Sequence, residues 1–331
     1  MFSFPAQLES DQQTRNWYQD LLDHPDCQGS PDKVQQAYES YRQASLTRSI
    51  ASMTRVDGES AKPKITPSPA LVQYLSYAAA TSAPGDVEKH YGDEAVNCMV
   101  IWARPSHKIL DLLNGLQNRL KDIVGTDMWF PESSRLHLSV IEISHRRPMA
   151  HLRSVYDQMG SGLVQELLDH PVTLNATDHR AARLGRPILL FDGVGVAIAF
   201  VPLGTDQYTY HHLRRDLHSI ALRSGITTDT CYTACMAHIT LGRFVDTKNF
   251  FDSENAETAL QRLKVWMDTI QSMNEELKER YSTDEWEWTV GGEKGLELQM
   301  GMLKFGRATD AAEMVGRRFG EDAGRMPEMA N

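Results

Sequence analysis

The 331 residues carry 44 acidic against 34 basic side chains, giving a formal net charge of −10 and a pI near 5.6. At 41% hydrophobic and 24% charged residues, the composition is that of a soluble globular chain long enough to bury a sizeable core. The acidic balance and the lack of a Lys/Arg-rich block argue against a long nucleic-acid duplex as partner; a small anion or the end of a short strand is the easier substrate, and a local basic cleft stays compatible with it.

The amino-terminal stretch MFSFPAQLESDQQ has no basic region leading into an apolar one, so no signal peptide is expected. The longest apolar run, VGVAIAFVPL, is too short to span a bilayer. A cytoplasmic protein without membrane contact is expected, with the nucleus left open. The irregular spacing of Cys27, Cys98, Cys231 and Cys235 makes no disulfide framework. Cys231 and Cys235 lack a second pair of soft ligands, so free thiols and no metal centre are expected. The sequon Asn175-Ala176-Thr177 has no meaning in a cytosolic chain.

Residues 1–90 read as a helical extension. Trp17, Tyr18, Leu21 and Leu22 mark one amphipathic segment, 32–54 a second, and 70–81 a third, with the Pro-rich stretch 62–69 as a linker or strap between the last two. Such an extension would cap a cleft, support oligomerisation or pack on the outside. Residues 95–104 then open a first lobe whose second strand is 134–143. Residues 171–204 read as several strands with Gly-rich turns, 254–281 as a long helix with an apolar stripe, and 287–290 and 295–305 as closing strands. Beyond Arg307 the composition turns polar and Gly-rich, and residues 307–331 are expected to form a mobile tail.

Within this frame two tetrapeptides stand out: His137-Leu138-Ser139-Val140 and His238-Ile239-Thr240-Leu241, 101 positions apart. Both lie in strand-like runs, where alternation gives each His and its hydroxyl residue one face and the aliphatic partners the other. Each is preceded by a strand, a Pro and a helix, at 100–143 and again at 197–244, which constitutes an internal structural repeat. Two facing lobes would bring two imidazoles and two hydroxyls to one cleft. Competing chemistry finds no support. Gly193-Val194-Gly195 lacks the third glycine of a dinucleotide loop, and the chain has no HExxH helix, Walker loop or GxSxG elbow. His211-His212 point in different directions at a helix start, which disfavours a shared metal.

The paired motifs, their spacing and their repeated context resemble the 2H phosphoesterase superfamily over about residues 95–305. The overall pattern is most similar to fungal members of the RNA ligase/cyclic nucleotide phosphodiesterase type. AHITLGRF is the closer of the two motifs, although Ala237 stands where family members often have Pro. The resemblance implies an α+β fold of two pseudo-symmetric lobes of antiparallel sheet flanked by helices, spanning 91–306. It also implies a metal-independent hydrolysis of a 2′,3′-cyclic phosphate, with no cofactor. His137 and His238 would be acid and base, and Ser139 and Thr240 would be donors to the phosphate. Imidazole suits either proton-transfer role near neutrality, and the non-bridging oxygens need fixed donors.

Supporting candidates are Trp129, Phe130 and Tyr232 for stacking on a base, and His145, Arg146 and Arg147 for a phosphate at the rim. Arg243 is a further candidate for holding the substrate, although simple alternation places it off the face shared by 238, 240 and 242, at the strand end or in an ion pair. Two rival functions keep the same fold: an enzyme repurposed for isomerisation, cyclisation or hydrolysis of a non-nucleotide metabolite, and a non-catalytic nucleotide-binding module. The oligomeric state is not readable from the sequence.

Overall fold

The structure, a computed structural model, describes residues 15–54, 65–80, 90–229, 234–248, 256–283 and 286–321. It begins with α1 (Trp17–Asp23), α2 (Pro31–Thr54) and α3 (Pro69–Ala80). The first His-bearing unit follows as β1 (Asn97–Ala103), α4 (His107–Val124), β2 (Met128–Trp129) and β3 (Leu138–Arg147). Helices α5 (Met149–Met159) and α6 (Ser161–Asp178) lead into β4 (Arg183–Phe191). The second unit is β5 (Gly195–Pro202), α7 (Tyr210–Leu222) and β6 (Ala237–Phe244). Helix α8 (Ala256–Tyr281), β7 (Glu287–Thr289), β8 (Leu296–Gly301) and β9 (Met314–Val315) complete the chain.

The strands form two antiparallel sheets, in the orders β3-β1-β8-β9 and β2-β6-β5-β4-β7, with helices packed against them. The architecture is therefore α+β, and the strand–helix–strand order recurs as expected. Helix α4 shows why these segments fold as they do. Ser106 caps it, its Oγ accepting from the Ile109 amide at 3.4 Å. Ile109, Leu113, Leu116, Leu120 and Val124 recur at helical spacing and are all buried. Each such side chain contributes about 1.5–3 kcal/mol on leaving water. Helix α7 starts on a reciprocal cap in which the Thr209 amide donates to His212 Nδ1 at 3.2 Å. His211 is fully buried, hydrogen-bonded to the Tyr38 hydroxyl and the Tyr18 carbonyl. Both neighbouring histidines thus have structural roles. No helix among the described residues is long and apolar enough to cross a membrane.

Two expectations need correction. Residues 171–178 are the last turns of α6 rather than strand. The β-branched VTLNAT stretch has modest helix propensity, but Val164, Leu167, Leu168, Pro171 and Val172 make one buried stripe, and tertiary burial overrides local preference. Residues 307–321 of the expected mobile tail pack on the fold, β9 pairing with β8 and Arg317 Nε reaching Asp169 at 2.9 Å, while 322–331 lie outside the described residues. The first two amino-terminal helices pack into the main core. Tyr18, Leu21, Val34 and Tyr38 belong to the main core cluster, so 15–54 folds into the same body as the sheets.

Candidate functional site

Strands β3 and β6 carry the two His motifs, and both reach one cavity of about 550 Å3 lying between the sheets. His137, Ser139, His238 and Thr240 all line it and are all half-buried. Leu138, Val140, Ile239 and Leu241 are buried on the opposite faces, as alternation requires. Trp102 of β1 forms the floor. The His137 ring stacks on it at 3.6 Å between centroids and an interplanar angle of 17°.

The preceding loop is held by Arg104, buried on the same side. Its guanidinium donates to the carbonyls of Ser134 at 2.9 Å and Leu136 at 3.3 Å, and to Glu297 at 2.9 Å. His137 Nδ1 donates to the Arg135 carbonyl at 2.8 Å, which leaves the neutral ring's lone pair on Nε2. Ring plane and tautomer are therefore both set before any ligand arrives.

Arg243 corrects the alternation argument. Along β6, Thr240 pairs with Ala197 but Gly242 pairs with Val196, so Leu241 is an extra residue. This bulge resets the pleat and turns Arg243 into the cavity beside Thr240. Glycines make the bulge possible: a Cβ on Gly195 would lie 2.3 Å from the Gly242 carbonyl, and one on Gly242 would lie 2.5 Å from Met128 Sδ.

Strand β3 does the same. Trp102 pairs with Ser139 and Ile101 with Ile141, which leaves Val140 extra; a second shift falls at Ile143. Glu142 and His145 consequently join His137 and Ser139 on the cavity wall. Both first bulges lie three residues after the motif histidine, and each is clamped by the helix of the other unit. Gln117 of α4 donates to the Leu241 carbonyl at 3.0 Å and to the Pro131 carbonyl at 3.0 Å. Arg214 of α7 donates to the Val140 carbonyl at 2.9 Å and to the Ala234 carbonyl at 2.8 Å. Sequence reasoning missed both clamps. A polar residue amid an amphipathic helix gives no hint that it faces inward.

Of the remaining candidates, Trp129 lines the cavity, and its strand pairs it with Arg243. His145 and Arg146 line the cavity as well. Arg147 instead pairs with Asp229 at 2.6 Å, and Phe130 packs on the main core. Tyr232 and Cys231 lie outside the described residues. Cys235 is a buried thiol. The expectation of no metal-ligating cluster near either motif is also corrected: Cys98, Glu142 and His145 come together in the cavity wall.

The amino-terminal helices shape the cleft. Ala70 and Gln73 of α3 form part of its wall, and the Tyr74 hydroxyl accepts from Arg135 at 3.0 Å. The segment before α3 is strapped down by Thr66 and Ser68, whose amides donate to the carbonyls of Gly193 and Phe244. A second recess of about 540 Å3 shares His238, Thr240 and Arg243 with the first and is bounded by Tyr41, Ser45 and Ser49 of α2.

Electrostatically the cavity differs from the rest of the molecule. Arg135, Arg146, Arg243 and Lys304 line it against Glu94 and Glu142, a basic lining in an acidic protein. Burial pushes His137 down to about 3, with Arg104, His238 and Arg243 adding to the effect against the Arg135 carbonyl. Burial likewise pushes His238 down to about 4, helped by Arg243 and Arg214. Lys304 is lowered by burial and by Arg243 and Arg146. The Cys98 thiol is pushed up to about 12 by burial, with Glu142 and Asp229 beside it. Both motif histidines are thus neutral near pH 7. A bound anion would reverse the repulsion and let the pair take up one shared proton. The arrangement offers two proton-transfer groups, two hydroxyl donors and several cations around a space the size of a small anionic molecule. No protein-family model matches this chain, and no curated protein matches it.

Proposed function

We propose that this protein is a 2H-type phosphodiesterase that hydrolyses the 2′,3′-cyclic phosphate of a nucleotide or of an RNA end. The observation that carries this reading is the convergence of two His-x-Ser/Thr strands, one from each sheet, on a single cavity with a basic lining. In the proposed step, one neutral imidazole takes a proton from water as its oxygen bonds to phosphorus. The protonated partner gives its proton to the departing 2′ or 3′ ribose oxygen as that P–O bond breaks. The products are a phosphomonoester and a free hydroxyl. Ser139, Thr240 and Arg243 donate to the non-bridging oxygens, where charge builds up. The His pair carries the proton transfers, so this acid–base step calls for no metal ion.

The depressed histidines fit this chemistry only in the presence of an anion. Binding of the phosphate is what creates the acid form of the pair, which ties protonation to substrate occupancy. Trp129, beside Arg243 on the cavity wall, is the surface on which a base would stack.

The test is hydrolysis of 2′,3′-cyclic nucleotides by purified protein. Wild type should turn them over, and His137→Ala and His238→Ala should each nearly abolish turnover while the circular dichroism stays native. Binding without cleavage by wild type would favour a nucleotide-binding module. Neither binding nor cleavage would favour an enzyme using the same His pair on a non-nucleotide metabolite.

A further inference from the structure

The end of the cavity beyond the acid–base pair holds a cluster for which the proposed hydrolysis has no use. Cys98 of β1 and Glu142 and His145 of β3 bring a thiol, a carboxylate oxygen and an imidazole nitrogen within 4.8 Å of one another. His145 Nδ1 lies 2.9 Å from Glu142 Oε1 and 3.7 Å from Cys98 Sγ. Glu142 is only 1% exposed, so this is an interior carboxylate and not part of a solvated acidic face.

We propose that Cys98, Glu142 and His145 bind a divalent ion of zinc-like ligand preference, with its remaining coordination position open to the cavity. Tetrahedral zinc with a sulfur at about 2.3 Å and a nitrogen at about 2.0–2.1 Å places those two atoms about 3.6 Å apart. A nitrogen and a carboxylate oxygen at their usual distances sit about 3.3 Å apart. The Sγ to Nδ1 separation already matches, and the imidazole–carboxylate pair needs to open by only a few tenths of an ångström. The donor set selects the metal: thiolate with imidazole suits zinc, whereas magnesium and calcium require all-oxygen cages. On coordination the Cys98 thiol releases its proton to solvent, and thiolate and carboxylate then carry two negative charges, which a divalent ion neutralises.

The backbone is built to hold this geometry. Three register shifts between β1 and β3 shape this end: Glu142 lies opposite Val100, and the last shift, between Ser144 and Arg147, falls where His145 meets Cys98. The His145 amide donates to Asp229 Oδ1 at 2.7 Å while Arg147 holds Asp229 Oδ2 at 2.6 Å, so the strand end bearing the imidazole is braced. Outer contacts of this kind orient metal ligands. All three ligand residues line the cavity, so a three-residue set leaves a fourth position facing the ligand space. From Trp102, under His137, to Cys98 is four residues of β1, about 13 Å. The ion would therefore take a donor atom from a distant part of a bound molecule and would not act at the reacting phosphorus.

The test uses full-length protein stripped with a chelator and titrated with zinc and with cobalt(II). One equivalent of either should bind, and the cobalt protein should show thiolate-to-metal charge-transfer absorption together with the visible bands of a tetrahedral site. Cys98→Ser should lose the charge-transfer band. Glu142→Gln and His145→Ala should each weaken affinity by more than the roughly 10–100-fold that loss of an outer contact costs. His137→Ala should bind metal as wild type does, so this result is separable from success or failure of the phosphodiesterase reading. Should Cys98→Ser fail to fold, the wild-type cobalt spectrum by itself reports sulfur ligation. Absence of stoichiometric binding, a cobalt spectrum without the thiolate band, or an unchanged spectrum in folded Cys98→Ser would overturn the proposal.

Discussion

Replacing Gln117 by Leu should damage the site from behind without touching it. Gln117 is 8% exposed, and its side-chain amide donates two hydrogen bonds of 3.0 Å, to the carbonyls of Leu241 and Pro131. Leucine is of similar size and suits an amphipathic helix, so the change removes the donors with little change in volume. Each buried carbonyl left without a partner costs about 1–3 kcal/mol. Two of them, offset by about 1 kcal/mol for the apolar replacement, give a net destabilisation of about 1–5 kcal/mol, measurable by urea unfolding. The larger consequence is local. Leu241 is the bulged residue that turns Arg243 into the cavity beside Thr240. A relaxed bulge moves that cation and the hydroxyl by an ångström or so, a misplacement that can cost about 10²-fold in rate. The comparison is Leu120→Ala, from the same helix and fully buried. It should lose about 2–5 kcal/mol through its cavity but keep the bulge. We expect Gln117→Leu to lower kcat/KM on a 2′,3′-cyclic nucleotide far more than Leu120→Ala at comparable stability. Equal activity losses in the two variants, or an unchanged Gln117→Leu, would refute the positioning argument.

Removing either His137 or His238 should cost about 10²–10⁴-fold in turnover, the usual worth of one acid–base group, and the double variant should lose little more, because both act in one transition state; additive losses would contradict the shared step. Arg243→Ala should raise KM for a cyclic nucleotide and Arg243→Lys should restore part of it, whereas an Arg243→Ala enzyme with wild-type kinetics would return this residue to a structural role. Because folded His137 and His238 sit at about 3 and about 4, below the ordinary value of about 6.5, the unfolded chain binds more protons in that window. Stability from the pair is then fully present above about pH 6.5 and is lost progressively as pH falls through about 4 for His238 and about 3 for His137. A His137→Asn/His238→Asn double variant should show a flatter dependence of urea midpoint on pH, and an identical slope would refute the burial argument. Turnover should survive a strong chelator. Loss of kcat restored by a divalent ion would refute acid–base chemistry by the His pair alone.

Much of this protein is legible in its residue order. The paired motifs, their matching strand–Pro–helix prefaces and the aliphatic alternation around them are local patterns. Alternation alone decides that Leu138, Val140, Ile239 and Leu241 go inward while His137, Ser139, His238 and Thr240 face the other way. The stripe of α8 is likewise set within a few turns of chain. What the tertiary structure decided are features that depend on partners distant in sequence. A bulge is a mismatch between two strands, so the inward turn of Arg243 depends on the pairing of β6 with β5 and on Gly195 admitting the Gly242 carbonyl. The same shifts on β3 bring Glu142 and His145 to Cys98 from across a strand pair, which made a metal-ligating cluster unreadable from spacing. Pro171 and the β-branched residues after it look unhelical until their stripe is seen to be buried. Gln117 and Arg214 look like ordinary polar helix residues until the opposite unit supplies the carbonyls they hold. Local sequence sets which face a side chain takes on a regular element, whereas interruptions of that regularity are set by the neighbour across the sheet. In this protein the cleft is built from those interruptions.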